Sequence, residues 1–309
     1  MMNFKTTLLS SAVLFALVGC GSDNDKNDSV DPQPQTAQFT LGVSDAPVTG
    51  LKAVNVVFDS ITLKTQGGEE FTFETREDDD ETMPEMVNLL DYTGDDVFSL
   101  LEDEEVPAGE YQWIRADVIN GDTNDLTMTS HVVYEDDSIA PLVVKRKGND
   151  GVGEIQLDGF TLNQAGNDFV IEFDLKKSLV DPQNSDEIFL KPRGVRLENL
   201  AESEDIEGTV SDVLIANCET DNIDIALEDG SFSHAVYLYS SDVEMPMDNY
   251  EVNEDETPLD APLATADVIF DSEDNQYEFE LAFIQPGDYQ LAYTCAAHID
   301  DVENQDEAF

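Results

Sequence analysis

The chain has 309 residues, with 69 Asp and Glu against 14 Lys and Arg, and a formal net charge of −55. Such a charge excludes nucleic acid as a partner, because phosphates need a basic surface, and it excludes lying flat on anionic lipid. An apolar share of 40%, regularly patterned, excludes disorder by composition.

Met1 to Lys5 carries one positive charge, and Leu8 to Val18 is apolar apart from Ser10 and Ser11. That is the length of a signal-peptide core and too short to span a bilayer as a helix. It ends in Leu17-Val18-Gly19-Cys20, which resembles the bacterial lipobox: small residues admit the peptidase, and the thiol carries the diacylglyceryl group. Residues 1–19 are therefore read as a signal peptide and Cys20 as the lipidated mature N-terminus, a membrane anchor. Gly21, in place of the Asp that retains lipoproteins at the inner membrane, resembles the group sorted to the bacterial outer membrane. Residues 20–36 are polar and acidic with two prolines, and read as a flexible tether.

From Gln38 the pattern has period two. Phe39, Leu41 and Val43 alternate with polar or small residues, and Val54, Val56, Phe58, Ile61 and Leu63 make a longer strand with a phase slip near Ser60. Phe71 and Phe73 follow a Gly67-Gly68 turn. Gly94–Glu102, acidic at its start and apolar at Val97, Leu100 and Leu101, reads as a short helix. Tyr111–Ile119 is a strand, with further strands near 125–135, 140–147, 152–157, 168–175 and 187–198. Short strands at this spacing predict an antiparallel β-sandwich over 37–200.

Residues 200–205 read as a joint. A second alternating segment, 206–299, carries expected strands near 206–216, 222–228, 232–239, 264–270, 276–283 and 288–296. Val243–Pro262 reads as a long acidic loop and 300–309 as an acidic tail. The fold class is therefore all-β: two tandem antiparallel sandwiches of immunoglobulin-like or prealbumin-like type, with one short helix in the first. Pro107-Ala108-Gly109-Glu110-Tyr111 is echoed by Pro286-Gly287-Asp288-Tyr289. Each is a turn that opens a strand. The echo resembles transthyretin-type and carboxypeptidase-regulatory-type sandwiches.

The segments Leu41-Gly42-Val43-Ser44-Asp45-Ala46-Pro47, Val54–Ile61, Val87–Asp91, Leu100–Tyr111 and Phe173–Pro192 together resemble a bacterial family of unknown function, domain-of-unknown-function family 4382, over about residues 37–200. The resemblance implies a lipoprotein with a β-sandwich. It implies no activity and no catalytic residues.

With Cys20 lipidated, Cys218 and Cys295 remain as an even pair in an oxidising compartment and are expected to form a disulfide. Closing such a loop stabilises by about 4–5 kcal/mol in the chain-entropy model. His131, His234 and His298 are the three possible histidine bases, none in a nucleophile motif. Gly42-Val43-Ser44-Asp45-Ala46 lacks the second glycine of a nucleophile elbow, and Ser44-Asp45 reads as a turn in which Asp caps backbone N–H groups. No segment has zinc spacing or an EF-hand pattern. A loop-built Ca²⁺ site would draw on Asp117, Asp122 and Asp125, which are close in sequence. Trp113 shares parity with Tyr111, so both are expected on one face, as core if buried or as a sugar platform if exposed.

The acidic balance is read either as adaptation to a salty medium, where screening is strong, or as carboxylates gathered for divalent cations. The expected function is that of a monomeric, non-enzymatic binding or envelope-structure module with a protein or glycan ligand. The alternatives are a carboxylate-dependent polysaccharide hydrolase, which needs two carboxyls in a cleft, and an ion-tuned spacer.

Overall fold

The computed structural model describes residues 35–46, 50–77, 80–148, 152–164, 166–182, 185–249 and 260–300. The signal peptide, Cys20, nearly all of the tether, the Asn149-Asp150-Gly151 turn, part of the Val243–Pro262 loop and the tail from residue 301 lie outside the described residues.

The elements run β1 (Thr36–Ala46), β2 (Leu51–Thr65), β3 (Glu70–Glu74), β4 (Arg76–Glu77), β5 (Asp80–Asn88), β6 (Phe98–Pro107), β7 (Gly109–Val118), β8 (His131–Tyr134), β9 (Ile139–Val143), β10 (Gly153–Leu157), β11 (Thr161–Leu162) and β12 (Asp168–Asp174). The one-turn α1 (Leu175–Ser178), β13 (Leu179–Val180), β14 (Ile188–Leu190) and β15 (Val195–Asn199) complete the first half. The second half has β16 (Glu204–Val210), α2 (Asp212–Asp221), β17 (Ala235–Ser240), β18 (Ala264–Asp267), β19 (Ile269–Asp271), β20 (Gln276–Ile284) and β21 (Tyr289–Thr294). The fold is all-β.

In the first half one sheet has the order β15-β12-β1-β6 and the other is built along β10-β7-β2-β8-β9-β14-β13. The alternation read in the sequence places Phe39, Leu41 and Val43 of β1 and Phe58, Ile61 and Leu63 of β2 in one core, all fully buried. Phe58 and Phe173 bridge the two sheets, ring centroids 6.3 Å apart. Each such side chain contributes about 1.5–3 kcal/mol through burial. Pairing is not wholly antiparallel: β1 lies parallel to β12, and β14 parallel to β9.

The helix expected over Gly94–Glu102 is instead a turn leading into strand β6, antiparallel to β1. The pairing carries register shifts at Phe39/Leu41 and Leu41/Gly42. Bulges insert residues and break the period of two, so Val97, Leu100 and Leu101 fall at a spacing that mimics a helix. A helix this short is marginal alone, whereas β1 offers an open ladder. Gly42 admits the approach: a Cβ there would lie 2.1 Å from Val97 Cγ1 and 2.9 Å from the Phe98 carbonyl oxygen.

In the second half, sheets β16-β20-β19 and β18-β17-β21 enclose a smaller core that includes Val210, Val236, Leu238, Leu281 and Ile284. Two expected strands are corrected here. The one over 206–216 stops at Val210, because Ser211 caps a helix, its Oγ accepting from Leu214 N at 3.3 Å, with Asp212 in the first turn. The one near 222–228 is a 3₁₀ turn, Ile223–Ile225. Cys218 therefore sits on α2 and not near a strand end, and it is bonded to Cys295 with the Cα atoms 6.0 Å apart. The echoed turns share one device. Tyr111 Oη donates to the Pro107 carbonyl and Tyr289 Oη to the Gln285 carbonyl, both at 2.7 Å.

The described residues from 35 onward form one compact unit. The halves meet through α1 and β12 on one side and β18 and β20 on the other. Asp174 accepts from Thr265 N at 3.0 Å and Thr265 Oγ1 at 2.9 Å. Lys177 Nζ donates to the carbonyls of Pro262 and Leu263 at 2.8 and 3.1 Å, and Lys176 pairs with Asp267 at 2.6 Å.

Candidate functional site

The end of β1 carries Ser44 and Asp45. They are not in a turn, and Asp45 caps no N–H group. Both lie in the strand, fully covered. Ser44 Oγ lies 3.1 Å from the carbonyls of both Tyr92 and Gly94. Neither carboxylate oxygen of Asp45 has a hydrogen-bond partner. The Leu175 N–H lies close enough to favour the ionised form but outside hydrogen-bonding geometry. Burial, then the charges of Asp174 and Glu172, push the Asp45 carboxyl well above the ordinary aspartate range. Glu172 is pushed up to about 7 by burial, against the pull of Arg196. Asp174 is raised by burial, and burial lowers Lys177. Perturbed groups gathered like this mark sites, but these three acids are no more than 4% exposed. No substrate reaches them. They form an ionic centre beneath the surface.

What reaches the surface from this centre is Arg196. Its guanidinium holds Glu172 inward and Glu198 at 3.1 Å, its buried Nε has no hydrogen-bond partner, and its side chain lines a cleft of about 670 Å³. Lys145, Arg146, Lys191 and Arg193 line the same cleft. Five of the chain's fourteen cations are thus gathered at one place in a molecule of charge −55. β14 and β9 create this gathering, because their parallel pairing brings the segment after Val143 beside the segment after Leu190.

Lys145 is exposed, with its ammonium 3.8 Å from the centre of the Phe189 ring. Among the described residues it has no carboxylate partner. Arg146 Nε pairs with Glu154 at 3.4 Å and its Nη2 donates to Gln156 Oε1 at 3.0 Å, which orients the guanidinium. The cleft's own acids are Asp158, exposed, and Glu198, which also accepts from Gln285 at 2.6 Å. A preformed cluster of oriented donors in a cleft of this size suits a small anionic ligand.

The model of the family described as Domain of unknown function (DUF4382) matches residues 36–192. The chain belongs to this family. The DUF4382 match takes in Asp45, the ionic centre as far as Lys177, and the Lys145, Arg146 and Lys191 side of the cleft; Arg193, Arg196 and Glu198 lie just beyond it. No curated protein and no solved structure matches the chain.

The residues singled out from sequence are dispersed. Asp117 bonds Arg115 at 3.0 Å and accepts from Ser60 at 3.1 Å. Asp122 accepts from Asn124 N and Nδ2 at 2.8 and 2.7 Å, and Asp125 precedes a 3₁₀ turn. These three do not converge; among the described residues the converging carboxylates are Asp271, Asp274 and Glu278, an exposed acidic group. His131 contacts Asn55 Nδ2 and the Thr129 carbonyl, His234 contacts Tyr293 Oη and Glu219, and His298 contacts the Ile225 carbonyl.

Tyr111 and Trp113 do not share a face. A register shift between Lys64 and Thr65 in the β2–β7 pairing turns Tyr111 into the core, where it stacks on Phe160 with ring centroids 5.0 Å apart. It leaves Trp113 partly buried on the outer face, with the Lys64 ammonium and the Arg115 guanidinium each 5.4 Å from its ring.

The cationic cleft was missed by sequence reasoning. One signal for it was present: no Lys or Arg follows Arg196, while eight of the fourteen fall between 145 and 196.

Proposed function

We propose that this chain is a non-enzymatic, lipid-anchored binding module of the bacterial outer membrane, and that the cleft around Lys145, Arg146 and Arg196 takes up an anionic ligand. Anchoring rests on the signal-like N-terminus ending in Leu17-Val18-Gly19-Cys20. Among the described residues no helix is long and apolar enough to cross a membrane.

The observation that carries the binding reading is the concentration of cations. Scattered lysines on an acidic protein disperse in solvent and pair with the abundant carboxylates. Here, among the described residues, Lys145 has no carboxylate partner beside a fixed Arg146, and Glu172 braces Arg196 from below.

Ligand binding to the native state raises the melting temperature with ligand concentration. In the full chain, held in non-ionic detergent at fixed ionic strength, small organic and inorganic anions replacing chloride raise Tm. A Lys145→Gln, Arg146→Gln double variant loses that response while keeping its Tm in chloride. An identical response in both proteins removes the cleft from the proposal.

A further inference from the structure

Resting on that reading, we infer that the anion is a sugar carboxylate: a hexuronate, either free or within a glycan. Four observations lead there. First, a chain of ion pairs leads from the cleft to the single tryptophan, which stands beyond the cleft's own lining. Arg146 and Arg115 share Glu154, at 3.4 and 3.3 Å, and Arg115 lies over Trp113. In the β7–β10 register, Gln156 stands opposite Arg115. The outer face of this sheet thus presents an aromatic ring, two guanidinium groups and a carboxamide side by side. A sugar ring offers an apolar face to the first and hydroxyls to the others.

Second, the cleft holds acceptors as well as donors. Asp158 and Gln156 line it together with Lys145 and Arg146. Sulfate carries no proton and needs donors alone, and an adjacent carboxylate repels it; hydrogen phosphate offers only one or two O–H groups to an acceptor. A polyol acid uses both, its carboxylate on the cations and its hydroxyls donating to Asp158 and Gln156. Third, about 670 Å³ is much larger than an inorganic ion and lies in the range of small-molecule sites. Fourth, the −55 body repels a densely charged polymer that runs beyond the cleft. A ligand with one charge per sugar ring meets far less of that repulsion.

The chain has one tryptophan, so its emission reports on this face alone. The full chain, in a polyoxyethylene detergent that carries no sugar, is titrated with glucuronate, trigalacturonate, glucose, phosphate and sulfate at constant ionic strength. Glucuronate produces a saturable change in Trp113 emission, and glucose produces none. Arg146→Gln weakens glucuronate at least tenfold, and Lys145→Gln, which leaves every ion pair intact, weakens it in the same direction. Equal affinity for monomer and trimer assigns the site to a free or terminal sugar acid; a tighter trimer assigns it to a glycan chain.

If phosphate or sulfate alters emission or melting in an Arg146-dependent way and the uronates do not, the sugar assignment falls and the anion cleft stands. If glucose binds as tightly as glucuronate, the carboxylate has no role and the assignment falls. If no anion alters emission or melting, both this inference and the binding reading fall.

Discussion

Asp45 is a costly residue to bury. It is 1% exposed and neither oxygen has a partner, with Glu172 and Asp174 as its nearest charged company. Burying a charge without compensation is expensive, so the group keeps its proton instead. The consequence for stability has a definite sign. Above the ordinary value of 3.8 the unfolded chain has released this proton and the folded chain has not. Stability is therefore full below that value and declines as pH rises toward the folded pKa. Glu172, raised to about 7, adds a decline of the same sign between the ordinary glutamate range and neutrality. Asp45→Asn removes the first contribution. The variant melts with the native protein near pH 3 and above it at pH 8, by more than about 2–4 °C, the shift that ~1 kcal/mol produces in a chain of this size. Melting curves across pH test this; a variant destabilised equally at every pH would mean that Asp45 has a partner in solution that compensates its charge.

At the scale of elements, α2 is weakly packed against the second half. Only Ile215 of its ten residues is buried, while Val213 and Leu214 are 70% and 46% exposed. What holds it is the Cys218–Cys295 bond at its C-terminal end, with Asn222 Nδ2 donating to the Cys218 carbonyl at 2.9 Å. Replacing both cysteines with alanine costs about 4–5 kcal/mol by loop entropy. The loss is local first: amide exchange in 212–221 rises by orders of magnitude before β17 and β21 lose protection. Uniform loss of protection across the second half would show that the bond anchors the whole core instead.

The same element marks where legibility ends. β2, β7 and β20 were readable because one face of each is core over much of its length, and alternation follows from that; β1 alternates in its first half, and β17, buried on both faces, was readable as a short apolar run. β6 and the Tyr111/Trp113 pair were misread because bulges shift parity and leave no mark in composition. α2 was misread because Val213 to Ala216 is a continuous apolar run of which only Ile215 faces the core. The crowding of Lys and Arg between 145 and 196 was legible, but their convergence on one cleft was not, because it depends on the β9–β14 pairing; the buried acids beneath it were hidden because Asp45 and Glu172 lie on strands joined across more than a hundred residues.

Charge sets the behaviour of the whole molecule, and two terms oppose each other. The ion pairs at the seam between the halves, Lys176 with Asp267 across it and Arg196 with Glu172 on its first-half side, have side chains largely out of solvent and are weakly screened. The remaining carboxylates repel one another across the surface, most strongly beyond Arg196, where no Lys or Arg offsets them. That repulsion acts over the Debye length, which falls from about 30 Å at 0.01 M salt to about 3 Å at 1 M. Surface repulsion involves far more charges than the seam, so screening it outweighs any loss in the ion pairs. Tm therefore rises steadily with NaCl over this range, and KCl acts as NaCl does. The effect is larger at pH 8 than at pH 4, where many carboxylates are protonated and the repulsion is already relieved. A Tm that falls with salt would place the balance in the buried seam and make the acidic surface incidental to stability. A rise that Ca²⁺ or Mg²⁺ exceeds at matched ionic strength would instead assign part of the charge, with Asp271, Asp274 and Glu278 as the first residues to replace, to a bound cation.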